Sequence, residues 1–167
     1  NSNAHELIHR SARPLHLLGR WVYISLLFGH HTSAHPKVHH RFVATPDDPN
    51  SARLGESFYR FAYRAWRGSF RAGLRAENEM LARAGRPLWR HPYWQYILGA
   101  LALLALSTLA FGPAGLAAHI GLATYATTQL LMSDYVQHYG LRRARRADGR
   151  YEPVSDAHSW NAPHVFS

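Results

Sequence analysis

Residues 96–132 read YILGALALLALSTLAFGPAGLAAHIGLATYATTQLLM. No residue from Tyr96 to Phe111 is charged, and from Gly115 to Ser133 only His119 can be, while Gly112-Pro113 stands between the runs as a turn signal. Extended back to Pro92-Tyr93-Trp94, the first run is about 20 residues long and the second similar, each enough for the roughly 30 Å of a bilayer's hydrocarbon core. The pattern predicts two helices and a tight turn, a transmembrane hairpin over about 93–133. A chain of 167 residues offers little protein with which to bury two such helices in a soluble core.

The flanks orient the hairpin. Arg83, Arg86 and Arg90 precede it, Arg142, Arg143, Arg145, Arg146 and Arg150 follow it, and its turn is uncharged, so the positive-inside rule places both ends in the cytoplasm. Trp89, Tyr93, Trp94 and Tyr96 at one end and Tyr135 and Tyr139 at the other fall where interfacial aromatics belong. Leu15 to Phe28, apolar apart from His16 and Arg20, is too short to cross and reads as a helix dipping into the bilayer. Thr45-Pro-Asp-Asp-Pro-Asn50 is a turn cluster; Phe58, Phe61, Tyr63, Trp66 and Phe70 among arginines then mark an amphipathic helix. The expected architecture is all-α, a polytopic helical membrane protein with histidine boxes at its cytoplasmic face and cytoplasmic segments over about 36–92 and 134–167. Mean hydropathy of −0.29 averages over these contrasts.

Composition narrows the chemistry. The chain has no cysteine, which excludes disulfide scaffolds, thiolate zinc, iron–sulfur ligation and cysteine nucleophiles; a metal here takes nitrogen or oxygen ligands. The net charge of +9 is carried by arginine, with Lys37 the single lysine, and suits lipid headgroups or an acidic partner. Nucleic acid is not an expected partner beside a membrane hairpin. The sequence has no P-loop, dinucleotide fingerprint or nucleophile elbow.

Eight of the 13 histidines lie between positions 5 and 40. His5-Glu-Leu-Ile-His9 puts two imidazoles one helical turn apart and matches the H-E-x-x-H pattern, in which Glu6 would activate water in a zinc protease. His35-Pro-Lys-Val-His39-His40 repeats the spacing, with His35 and His39 on one face of an ideal helix and His40 about 100° away. Five imidazoles exceed the roughly three protein ligands of one catalytic zinc, and the surplus favours a dinuclear site. The hairpin returns His138 to the same side of the membrane. Imidazole alone does not choose among iron, copper, nickel and zinc. A noncatalytic histidine-rich membrane module would share these features.

These boxes, with Arg41-Phe-Val-Ala-Thr-Pro-Asp-Asp-Pro-Asn-Ser-Ala-Arg-Leu-Gly-Glu-Ser-Phe58, Asp134-Tyr-Val-Gln-His-Tyr-Gly-Leu141 and His158-Ser-Trp-Asn161, resemble in order the integral-membrane alkane 1-monooxygenase family. The resemblance implies a nonheme di-iron centre, two iron ions held by histidine, that uses O2 and electrons from a rubredoxin-type donor to hydroxylate the terminal carbon of an alkane or related alkyl chain. Carried over, the metal ligands are His5, His9, His35, His39, His40 and His138, with Glu6, His31, Gln137 and His158 as neighbours of the ligands. The implied setting is a bacterial inner membrane, with lipid around the hairpin and the active site on the cytoplasmic side. A xylene-type side-chain hydroxylase and a fatty-acyl desaturase share this metal chemistry.

The family carries a further H-x-x-H-H box after His-Ser-Trp-Asn, so residues 1–167 read as the central fragment of a single membrane hydroxylase domain. Two departures stand out. Ala34, Pro36 and Val38 occupy positions where the second box usually has glutamate, asparagine and glycine, and Asp134 and Gln137 stand where asparagine and glutamate are usual. His16, separated from the first box by Pro14, reads as structural, His91 as interfacial and His119 as a hydrogen-bonded core histidine.

Overall fold

The computed structural model describes residues 2–160, with the side chains of Ser2 and Asn3 outside the description. The described residues are mostly helical and contain no β-strand, the nearest feature being an isolated antiparallel bridge between Arg145 and Tyr151. In chain order they form α1 (Ser2–His9), α2 (Arg13–Ser25), α3 (His31–Ala34), a π-helical turn (His35–His39), α4 (His40–Phe42), α5 (Phe58–Arg83) and α6 (Pro92–His138). Single 3₁₀ turns cover Leu88–Arg90 and Asp156–His158.

α6 is long and apolar enough to cross a membrane, with a window of mean hydropathy 2.0. Within it Gly112 adopts φ 65°, ψ −162°, which is non-helical and open to glycine at little steric cost. Ser107 and His119, twelve residues apart, are hydrogen-bonded at 2.7 Å. A straight helix would separate them by about 18 Å, so the limbs before and after Gly112 lie side by side. The apolar faces point outward: Leu109 is 85% and Phe111 76% exposed. A soluble protein would hide such surface.

α2 and the turn after it pack against both limbs. Ile24 is buried with Tyr93 and Tyr96 of the first limb, while Tyr23 and Phe28 join Phe61, Ala65 and Leu131 in the larger core. His119 reaches the α2 terminus, its Nε2 2.8 Å from the Ser25 carbonyl. α5 is amphipathic: Phe61, Ala65, Ser69, Gly73, Glu77 and Leu81 recur every fourth residue on its buried face, and Tyr59 and Tyr63 are exposed on the other. Gly73 sits where a Cβ would fall 2.5 Å from the Tyr93 hydroxyl and 3.2 Å from Ala34 Cβ, so α5 lies directly against α3.

The loop between α4 and α5 is held by Arg64. Its guanidinium donates to both carboxylate oxygens of Glu56 (2.8 and 2.6 Å) and to the carbonyls of Pro49 (2.8 Å) and Ser51 (3.1 Å). This planar fork satisfies four acceptors at once, and it presses residues 48–51 against the histidine-bearing segment.

Candidate metal centre

α1 presents His5 and His9 one turn apart, with ring centroids separated by 4.9 Å. One ring nitrogen from each of His5, His9 and His35 lies within 4.8 Å of the other two. His5 Nε2 is 2.7 Å from His35 Nε2, and His40 Nε2 is 3.0 Å from the same atom. The His9 and His40 rings are 4.9 Å apart. Four imidazoles therefore converge. Beside them, His39 and His138 face each other at 4.9 Å between centroids, and the His35 ring stacks on His39 at 5.1 Å, joining the two groups.

His35 and His39 share a face as an ideal helix requires, their rings stacked at 5.1 Å, but His40 is not turned away: its ring lies 4.5 Å from that of His35, while His39 also meets His138. The cause is the π-helical turn, closed by the His40 amide donating to the His35 carbonyl, which brings residues i and i+5 into register. Pro36 supplies the irregularity, because it has no amide to continue the α-helical ladder and its ring crowds the preceding turn.

Electrostatics keep most of these rings neutral. Burial, followed by the neighbouring histidines, pushes His40 down to about 4 and His35 far below the ordinary imidazole value; burial also lowers His5 and His138. His39 goes the other way. Burial opposes its charge, but the adjoining Asp48 carboxylate more than offsets this and raises it to about 8. The His39 Nδ1–H donates to Asp48 Oδ2 at 2.9 Å, and Asp48 also accepts from Ser51 Oγ (2.6 Å) and the Asn50 amide (3.0 Å). The Nδ1–H of His138 donates to the His158 carbonyl at 3.0 Å. In both rings Nδ1 is engaged, which leaves Nε2 as the nitrogen that can face a metal, in His39 once its second proton is lost.

This donor set fits a borderline divalent metal. The ring nitrogens of His5 and His40 both approach His35 Nε2, at 2.7 and 3.0 Å, these three rings are held neutral, and His39 and His138 beside them each have an outer acceptor for Nδ1–H.

A cavity of about 480 Å³ opens on the cluster, lined by His5, His31, His35, His39, Asp134 and Gln137 among others. Asp134 is 7% exposed, accepts from Asn50 Nδ2 at 2.6 Å, and is pushed by burial up to about 6. His31 is buried between Tyr23 (4.7 Å) and His35 (4.7 Å, stacked). Glu6, also at the cavity, is exposed and paired with Arg10 at 3.9 Å. Gln137 accepts through its carbonyl from the Trp160 amide at 2.8 Å. The His158 side chain is tied to Glu152 (3.0 Å) and Ser155, so it meets His138 through its carbonyl alone. Asn161 and His164 lie outside the described residues.

Asp48 is a site residue that the sequence marks only as part of a turn. The signal available was a carboxylate nine positions after His39 in a segment rich in turn formers. Only the Arg64 bonds, distant in sequence, show which way that turn faces.

Comparison with known proteins covers nearly the whole chain. The chain is 38% identical over 167 residues to alkane 1-monooxygenase 1 of Pseudomonas aeruginosa, covering 98% of this chain and 44% of that protein. It is 34% identical over 172 residues to the alkane 1-monooxygenase of Acinetobacter baylyi (99% and 41%), and 31% identical over 169 residues to the hydroxylase component of a xylene/toluene monooxygenase from Pseudomonas putida (95% and 42%). The chain thus spans under half the length of these curated relatives. The family model described as fatty acid desaturase matches residues 2–167. With that match running through every histidine box, the chain belongs to the fatty acid desaturase family.

Proposed function

We propose that this chain is part of a membrane alkane 1-monooxygenase, hydroxylating the terminal carbon of an alkane or related alkyl chain at a pair of iron ions. The observation that carries the proposal is the convergence of His5, His9, His35 and His40 beside the His39–His138 pair, on a cavity next to an outward-facing apolar helix. His5, His9, His35, His39, His40 and His138 would hold the metal. The similarity to alkane 1-monooxygenases at 34–38% identity supports this substrate class over a desaturase's.

Iron supplies the activation of O2 needed to break an unactivated C–H bond, which lies beyond side-chain acid–base chemistry. Asp48 and the His158 carbonyl hold His39 and His138 in one tautomer and orientation. Asp134, desolvated and anchored by Asn50, can hold a proton at the cavity wall. An alkane offers no polar handle and is held by apolar burial alone, worth about 0.8 kcal/mol per CH2. The exposed faces of α6 put the site within reach of substrate dissolved in lipid. Residues 93–133 cross as a hairpin of a bacterial inner membrane, and the histidines lie at its cytoplasmic side, where exposed Arg142 and Arg146 receive an acidic, rubredoxin-type electron donor.

The test is hydroxylation of n-octane by the full-length protein with ¹⁸O2 and a rubredoxin reducing system. Labelled 1-octanol is the expected product; an unsaturated product, or none with iron bound, would reject the assignment.

A further inference from the structure

The segment carrying His35, His39 and His40 is one short helical run. α3, the π turn and α4 follow one another without a break over residues 31–42, at the lower edge of the length at which an isolated helix is even marginal, and the π turn interrupts its α-helical register. Pro36 removes a further amide. The register of the ligand-bearing turn therefore has to come from its surroundings.

Glu77 of α5 is 6% exposed and lies more than 35 residues away in sequence. Its Oε1 accepts from Ser33 Oγ at 2.5 Å and from the Lys37 ammonium. Ser33 stands two residues before His35 and Lys37 two after. The Ser33 hydroxyl also accepts from the Tyr96 hydroxyl of α6 at 2.8 Å. One buried oxygen thus ties both shoulders of His35 to α5, and α6 to the same point. Lys37, the single lysine of the chain, is the cation that offsets the cost of burying this carboxylate. One turn earlier, Gly73 allows the close approach that brings Glu77 within reach.

We infer that Glu77 is a positioning residue for the metal centre, clamping the π turn through Ser33 and Lys37 so that His35 and His40 meet His5 and His9 while His39 meets His138. The inference rests on the metal-binding reading above. Without the clamp the turn is free to relax towards α-helical register, which separates His35 from His40.

The test uses the full-length protein depleted of metal, with Co(II) as the probe and its visible ligand-field spectrum as the report on geometry. Glu77→Ala is expected to weaken Co(II) binding about tenfold, the lower end for loss of a group that orients metal ligands, and to shift the spectrum. Glu77→Gln keeps an oxygen acceptor for both donors and should restore most of the wild-type spectrum. Leu81→Ala, one turn along the same buried face, removes packing without touching the clamp; it should lower Tm and leave the spectrum unchanged. Wild-type affinity and spectrum in Glu77→Ala would overturn the inference, as would an equal spectral shift in Leu81→Ala. Should Glu77→Ala not fold, Ser33→Ala removes one arm and must shift the spectrum in the same direction; no shift overturns the clamp. A wild-type protein that binds no Co(II) would instead overturn the metal-binding reading beneath it.

Discussion

His39 donates its Nδ1–H to Asp48 at 2.9 Å, and this bond fixes the orientation of a ring whose centroid lies 4.9 Å from that of His138. It links a loop stapled by Arg64 to the histidine cluster, so loop geometry and metal affinity are coupled.

Asp48→Asn should therefore lower metal affinity by about 10–100-fold, measured by chelator competition. In metal-free protein the pair also gives a pH signature. The His39 value rises from 6.5 to about 8 on folding, so its contribution to stability is complete below about pH 6.5 and disappears as pH rises through about 8. Because the depressed histidines of the same cluster titrate with the opposite sign, the signature is the difference in Tm between wild type and Asp48→Asn in metal-free protein, which should narrow as pH rises through about 8.

Gly73 marks the contact between α5 and α3, where an added Cβ has no room. Gly73→Leu should cost about 1–3 kcal/mol, as overpacking does, and displace the histidine segment with it. Denaturation of the detergent-solubilised protein, combined with metal content, measures both effects. Gly85, whose added Cβ would meet nothing within 4 Å but whose φ is +59°, serves as a comparison in which backbone strain acts without crowding.

His119 joins the second limb of α6 to Ser107 and to the Ser25 carbonyl. His119→Leu should destabilise the protein by about 1 kcal/mol, the scale of polar contacts between membrane helices. Tm in a mild detergent measures this, and His119→Gln should recover part of it. An unchanged Tm would assign the packing of α2 to apolar contacts alone.

The helical boxes were legible because an i, i+4 spacing is a local property, and α1 displays His5 and His9 as that spacing requires. The apolar runs and the Gly112 turn were legible for the same reason. The partition of the second box was not, since it depends on a π turn whose register is set by neighbours and not by the spacing of His35, His39 and His40. Asp48, Asn50 and Glu77 were hidden as well. Each reaches the site through tertiary contacts: Arg64 for the loop, Gly73 for the approach of α5, and the Asn50–Asp134 bond across 84 residues. Glu6, by contrast, sits in a motif that sequence reading emphasises, yet it is exposed and paired with Arg10.

Arg142, Arg145 and Arg146 after α6 are all exposed, but Arg145, like the half-buried Arg143, lies over the Tyr151 ring and so has structural work. Reversing the charge of Arg142 and Arg146 should raise KM for an acidic electron donor several-fold at low salt, with kcat little changed, and the difference should shrink as salt screens it. Steady-state kinetics across a salt series measures the effect; equal salt dependence in variant and wild type would place the docking surface elsewhere.

The central claim is that these histidines hold iron. His35 is its most exacting position, since its Nε2 lies 2.7 Å from His5 and 3.0 Å from His40 and its ring stacks on His39. Elemental analysis of the full-length protein, purified beside His35→Ala, tests it directly. The account predicts a pair of iron ions per chain in the wild type and loss of that iron in a folded His35→Ala; zinc in place of iron, or iron fully retained by the variant, would contradict it.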